Sequence, residues 1–199
     1  MEPTIPDFDP AEVPEHVVVL CLACAQYVHA ATGVALDFTP DTLPLLDHYL
    51  QGVRDAKGDV KELVATAAGA YFGELVRRMY PSRWHAPDEA FDAWRVEFSR
   101  CFLHFNPVGF AREAIEGGDI GGGYGFGVNG DDVPALEAGL AAYGDVPTDD
   151  YYLLSTRIEV LGPVVDRLLA NNLARGAEAL EYGPAVYRVA LDEGANKPS

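Results

Sequence analysis

Basic residues are scarce in this chain: 14 Lys and Arg stand against 31 Asp and Glu, a formal net charge of −17, with the acids spread over the whole length. A surface of that sign repels phosphate backbones and anionic headgroups, so binding to nucleic acid or to a membrane surface would need a local basic patch. Arg77, Arg78 and Arg83, with Trp84 beside them, form the only such cluster, and cations near a helix C-terminus are explained by the negative end of its dipole. Cationic proteins are the natural partners of the remaining surface. Cysteine is scarce as well: three residues, an odd number, make no disulfide framework. Long hydrophobic runs are missing. The most apolar stretch, residues 17–25, is bounded by His16, Gln26 and His29; it is too short to span a bilayer and suits a buried helix. The first fourteen residues carry four acids and no base, the opposite of a secretory leader, and the expected location is the cytoplasm.

What is present suffices for one core, since 49% of 199 residues are hydrophobic. The expected organisation is an extended, Pro- and Asp-rich arm over 1–12, a single domain over 13–192 and a polar tail over 193–199. Residues 13–31 read as a helix ended by Gly33. Thr39-Pro40-Asp41 opens a second, to about Ala56, with Leu43, Leu46, Leu50 and Val53 at helical spacing. The clearest helix covers 61–79, with paired apolar positions every four residues and a small-residue side of Thr66, Gly69, Ala70 and Gly73.

Beyond it, alternation over 94–104 predicts one long strand, and Asn106-Pro107 starts a short helix through Ile115 that Gly117-Gly118 ends. Tyr124, Phe126 and Val128 alternate with glycines as a further strand, and 133–143 is a short helix. Thr148-Asp149-Asp150 is placed to cap the last major helix, in which Leu154, Ile158, Leu161, Val165 and Leu168 form the apolar stripe and Gly162-Pro163 invites a kink or break. Residues 185–191 read as a strand. Helices and strands that do not alternate as βαβ units predict an α+β fold, several helices packed around a small, mainly antiparallel sheet.

Motifs for chemistry are few. Gly125-Phe-Gly127-Val-Asn-Gly130 fits the letters G-x-G-x-x-G, but a dinucleotide loop must follow a strand and open a helix. Here the segment has its own alternation, and Asp131 and Asp132 at the next helix start would repel a phosphate; the expectation is a glycine-lined strand close to other backbone. Cys21-Leu-Ala-Cys24 with Cys101 and His104 supplies four zinc-type donors, yet the first pair lies in an apolar helix and the second on a strand where positions three apart face opposite ways. No G-x-S-x-G elbow or H-E-x-x-H occurs. No catalytic, cofactor or metal residue is therefore assigned. Two weaker groupings remain: a contact surface of Trp84, Tyr151, Tyr152, Asp149 and Asp150, and a pocket at the Gly69/Gly73 helix face, where Glu74 could act as an acid or, more simply, pair with Arg77 and Arg78 three and four positions on.

The segments LPLLDHYL, GAYFGELVRR followed by Trp84, NPVGFAREAI and VPTDDYYLLSTRIEVLGPVVDRLL together resemble a group of bacterial hypothetical proteins of about this size to which no activity is assigned. The resemblance spans residues 36–169 in blocks. It implies a cytoplasmic bacterial α+β domain and carries over no functional residue.

Two functions follow as expectations. The first is a non-enzymatic acidic interaction module, an adaptor, regulator or immunity-type neutraliser that binds a basic protein, without nucleic acid, membrane or cofactor. The alternative is a small-molecule binder or enzyme with its pocket at the Gly69/Gly73 face.

Overall fold

The computed structural model describes residues 7–88, 90–144, 146–177 and 180–195. Its helices are α1 (Glu15–Thr32), α2 (Leu43–Gly52), α3 (Gly58–Met79), α4 (Pro107–Glu116), α5 (Val133–Tyr143), the single turn α6 (Thr148–Tyr151), α7 (Leu154–Ala174) and α8 (Pro184–Ala195). Four strands, β1 (Ser82–His85), β2 (Arg95–Phe98), β3 (Leu103–Phe105) and β4 (Gly127–Val128), form one antiparallel sheet in sequence order. The fold is α+β, as the element pattern predicts. Among the described residues no helix is long and apolar enough to cross a membrane.

The centre is α3. Every residue from Val64 to Val76 is buried, so the helix is enclosed on all sides where its sequence pattern predicts one apolar face. α1 and α4 pack along it, and the sheet covers its C-terminal half. Gly69 permits the approach of α4: a Cβ there would lie 2.6 Å from the Val108 Cα. The cost of about 1 kcal/mol for a glycine inside a helix is offset by this backbone contact.

Local signals place several boundaries. Gly33 takes φ +75° and returns its N–H to the His29 carbonyl, and the Asn106 side chain accepts the Gly109 N–H at 2.7 Å to start α4. Elsewhere long-range contacts overrule the sequence pattern. The expected 94–104 strand is a hairpin, with Val96 opposite Phe105, because the segment between β2 and β3 closes around the Tyr187 hydroxyl. That hydroxyl accepts the Leu103 N–H at 3.0 Å and donates to the Phe98 carbonyl at 2.7 Å. Tyr187 itself lies on α8, a helix where the pattern predicts a strand. Gly183-Pro184 starts it, Tyr187, Ala190 and Leu191 turn inward at helical spacing, and Val186 and Val189 are exposed.

The run of glycines is mostly outside the sheet, with only Gly127 and Val128 paired. α2 ends at Gly52, short of Ala56. α7 passes through Pro163 unbroken to Ala174. Residues 7–12 are held to the body by Arg77 and Arg78, while α8 extends to Ala195, into the expected tail; residues 1–6 and 196–199 lie outside the described residues.

The start of α7 shows what sequence proximity misses. Thr148-Asp149-Asp150 belongs to α6, and the buried carboxylate of Asp47, on α2, receives the Leu154 N–H at 2.8 Å and the Ser155 N–H at 3.0 Å. An acid from another helix thus caps α7. Replacing Asp47 with Ala strands both amides, and the expected loss is about 2 kcal/mol of unfolding free energy in urea denaturation, with Asp47→Asn intermediate.

Candidate functional site

Glu74 and Trp84, which the sequence places in separate features, meet in one cluster at the C-terminal end of α3. Glu74 is fully buried, and its two oxygens accept Arg77 Nε at 2.8 Å, Arg77 Nη2 at 2.9 Å, Arg78 Nε at 2.8 Å and the Trp84 indole N–H at 3.2 Å. Four donors thus converge on one buried carboxylate. Arg77 continues to Glu12, and Arg78 to the Asp7 carbonyl and the rings of Phe8 and Phe38. The Glu74 carboxylate raises the Arg77 pKa further, chiefly through its hydrogen bonds. The basic cluster seen in the sequence is consumed here: Arg77 and Arg78 by Glu74, Arg83 by Glu97 and the Tyr182 carbonyl.

The expected groove at Gly69 and Gly73 is therefore filled. A Cβ on Gly73 would lie 2.2 Å from the Trp84 ring, and Gly69 abuts α4 backbone. These glycines admit an indole and a helix, not a ligand. Trp84 in turn packs edge-on to Trp94 and is half-buried.

Tyr151 and Tyr152 also face inward in part. They lie over the guanidinium of Arg157, whose carbon is 3.8 Å from the Phe110 ring centre, 4.8 Å from Tyr151 and 5.5 Å from Tyr152. Arg157 is buried and paired with buried Glu113 at 2.5 Å. Burial raises the Glu113 carboxyl above its ordinary value, with Arg157 opposing. The π faces of the three rings offset part of the cost of burying this cation. Asp150 is exposed, and the side chain of Asp149 lies outside the described residues.

The glycine-rich segment serves packing. The Tyr124 ring sits where Cβ atoms of Gly109 and Gly122 would be, and its hydroxyl meets Arg112 at 2.8 Å; the His104 ring occupies the Cβ position of Gly127. Asp132, buried, holds Arg175 at 2.7 Å and Asn171 at 2.8 Å. Of the three glycines in the phosphate-loop letters, Gly127 faces the His104 ring and Gly130 opens the turn before α5, while a Cβ at Gly125 would meet nothing.

Cys21, Cys24 and Cys101 are free and buried. Burial pushes the Cys101 thiol up to about 12 and raises those of Cys21 and Cys24 strongly. With His104 they do not converge: no group of three or more His, Cys, Asp and Glu placed to hold a metal ion occurs among the described residues.

Two of the surface clefts among the described residues lie beside α3 and α1. One of about 660 Å³, between the start of α3 and the end of α4, is walled by Lys61, Glu62, Arg112, Glu116 and Asp119. Four of these charges pair, Lys61 with Glu116 at 2.7 Å and Arg112 with Glu62 at 2.5 Å, and Arg112 also reaches Asp92 outside the cleft. The other, of about 590 Å³, borders α1 and is lined by Glu15, His16, Val19, Leu20, Asp88 and Phe91.

Asp47, Glu113, Arg157 and Tyr187 are structural residues that pattern reading passes over. A signal exists for two of them: Asp47 shares the apolar stripe of Leu43, Leu46 and Leu50, and Arg157 adjoins that of Leu154, Ile158 and Leu161. A charge on a core stripe requires a partner.

Two outcomes test these assignments. Glu74→Ala leaves two arginines and an indole N–H without their acceptor and is expected to cost about 3–5 kcal/mol in urea denaturation. His104 is held near pKa 4, first by burial and then by Arg95, below the ordinary 6.5 that the unfolded chain regains. The unfolded state therefore binds the extra proton. The stability contributed by neutral His104 is complete above about pH 6.5 and declines as pH falls toward 4, by about 3 kcal/mol in total. Denaturation at pH 7 and pH 5 should show a smaller difference in His104→Asn than in the parent chain.

Comparison of the chain with protein-family models, with curated proteins and with solved structures finds no match.

Proposed function

We propose that the protein is a non-enzymatic acidic interaction module of a bacterial cytoplasm, an adaptor, regulator or neutraliser that binds a basic partner protein. The supporting observation is where the two signs of charge lie. Among the described residues, Lys61, Arg77, Arg78, Arg83, Arg95, Arg112, Arg157 and Arg175 are all committed to ion pairs within the chain. Several of their acid partners, Glu74, Glu97, Glu113 and Asp132, are buried, so these pairs cancel inside the molecule. Asp41, Asp55, Asp59, Asp131 and Asp150 meanwhile stand exposed.

The outer surface thus carries the net charge of −17, with eight of the chain's 14 cations held in these pairs. Such a field steers a cationic partner into encounter, and the steering weakens as salt shortens the Debye length. The expected result is recovery, from the source cells, of a stoichiometric basic protein whose association rate falls steeply between about 50 and 300 mM salt. Recovery of no partner at either salt, or of an acidic one, overturns the proposal.

A further inference from the structure

α1 is unusual for a surface helix. From His16 to Thr32 it carries no Asp, Glu, Lys or Arg, in a chain that is 23% charged, and a helix apolar on every side belongs inside a core. Only one stripe is inside: Val17, Cys21, Cys24 and Val28 are buried against the body. On the other side Val19 is 59% exposed, and Leu20, Leu22 and Ala23 are partly exposed. Glu15, Val19 and Leu22 follow at i, i+4 and i+7, so they share one face.

At its N-terminal end this strip runs into the cleft of about 590 Å³, where Leu20 and Phe91 supply apolar wall and Glu15, His16 and Asp88 the polar groups. Asp88 meets His16 Nδ1 at 3.2 Å, yet its side chain remains 88% exposed. A centre depleted of charge beside a charged rim is the anatomy of a protein interface.

Resting on the acidic-module proposal, we infer that this face of α1 is the docking site, and that the basic partner presents to it an amphipathic helix whose apolar stripe is flanked by Lys and Arg. The apolar stripe seats along Val19, Leu20 and Leu22, and the flanking cations reach Glu15 and Asp88. Charge selects this occupant over a second copy of the chain, because two-fold pairing of a chain with net charge −17 sets like-charged rims against each other.

The test uses a fluorescein-labelled helical Leu/Lys peptide of about 18 residues, roughly five turns, with Leu/Glu and Ser/Lys peptides of the same length as controls. Only the Leu/Lys peptide is expected to bind tightly, and hydrogen exchange on the unmodified protein should slow at α1 and around Phe91. Val19→Ser combined with Leu22→Ser should weaken binding at least about tenfold; Glu15→Gln with Asp88→Asn should reduce its salt dependence.

Peptide protection at any other surface overturns the docking site while leaving the basic-partner proposal standing, as does binding indifferent to the Val19 and Leu22 changes. No binding of the Leu/Lys peptide at low salt overturns it too, and the broader proposal then stands or falls on recovery of a basic partner from cells. Self-association by sedimentation that the Val19 and Leu22 changes abolish would assign the face to a second copy. Should those variants unfold, the exchange pattern of the unmodified protein decides.

Discussion

Complete burial of α3 from Val64 to Val76 constrains every element packed around it. A helix enclosed on every side must receive neighbours at backbone distance on some of them, and Gly69 and Gly73 are where α4 and the Trp84 indole come in. The same enclosure traps Glu74. A carboxylate without water needs donors within the protein, and the chain supplies Arg77, Arg78 and Trp84. Through those arginines the segment before α1 is tied down, so one buried acid couples α3, β1 and the N-terminal residues.

The same principle recurs at smaller scale. Glu97 lies between Arg83 and Arg95, Glu113 meets Arg157 under a roof of aromatic rings, and Asp132 holds Arg175. Each of these four buried acids, Glu74 included, takes up one or two cations, whereas buried Asp47 is held by backbone amides. The electrostatic consequence is global, because cations spent inside cannot balance acids outside. The exposed side of α1, with Val19 outward and no Asp, Glu, Lys or Arg from His16 to Thr32, is charge-poor against that background.

Much of the fold is legible in the sequence where the determining interaction is short in range. The Gly33 stop, the Asn106-Pro107 start and the helical spacing of the α3 and α7 apolar residues act within one or two turns, and the structure keeps them. Segment 94–104 reads as one strand because period two continues through a reversal that a hydroxyl 84 residues away organises. Segment 185–191 reads as a strand because its β-branched and apolar residues satisfy period two and period 3.6 alike, and only the burial of Tyr187 separates them. At the candidate sites residue type is informative but role is not. Trp84, Glu74 and the paired tyrosines are conspicuous by type; the pairing of Glu74 with Arg77 and Arg78 one turn on is local and legible, whereas its contact with Trp84 and the stacking of the tyrosines on buried Arg157 are not.

Composition and local periodicity, which are properties of neighbouring residues, fix the sign and size of the surface field, the α+β class and most helix positions. Tertiary contacts select which charges cancel, which glycines are already filled and which side of an apolar helix stays outside. Those outcomes depend on side chains tens of residues apart meeting at hydrogen-bond or van der Waals distance, and no local pattern encodes such a meeting.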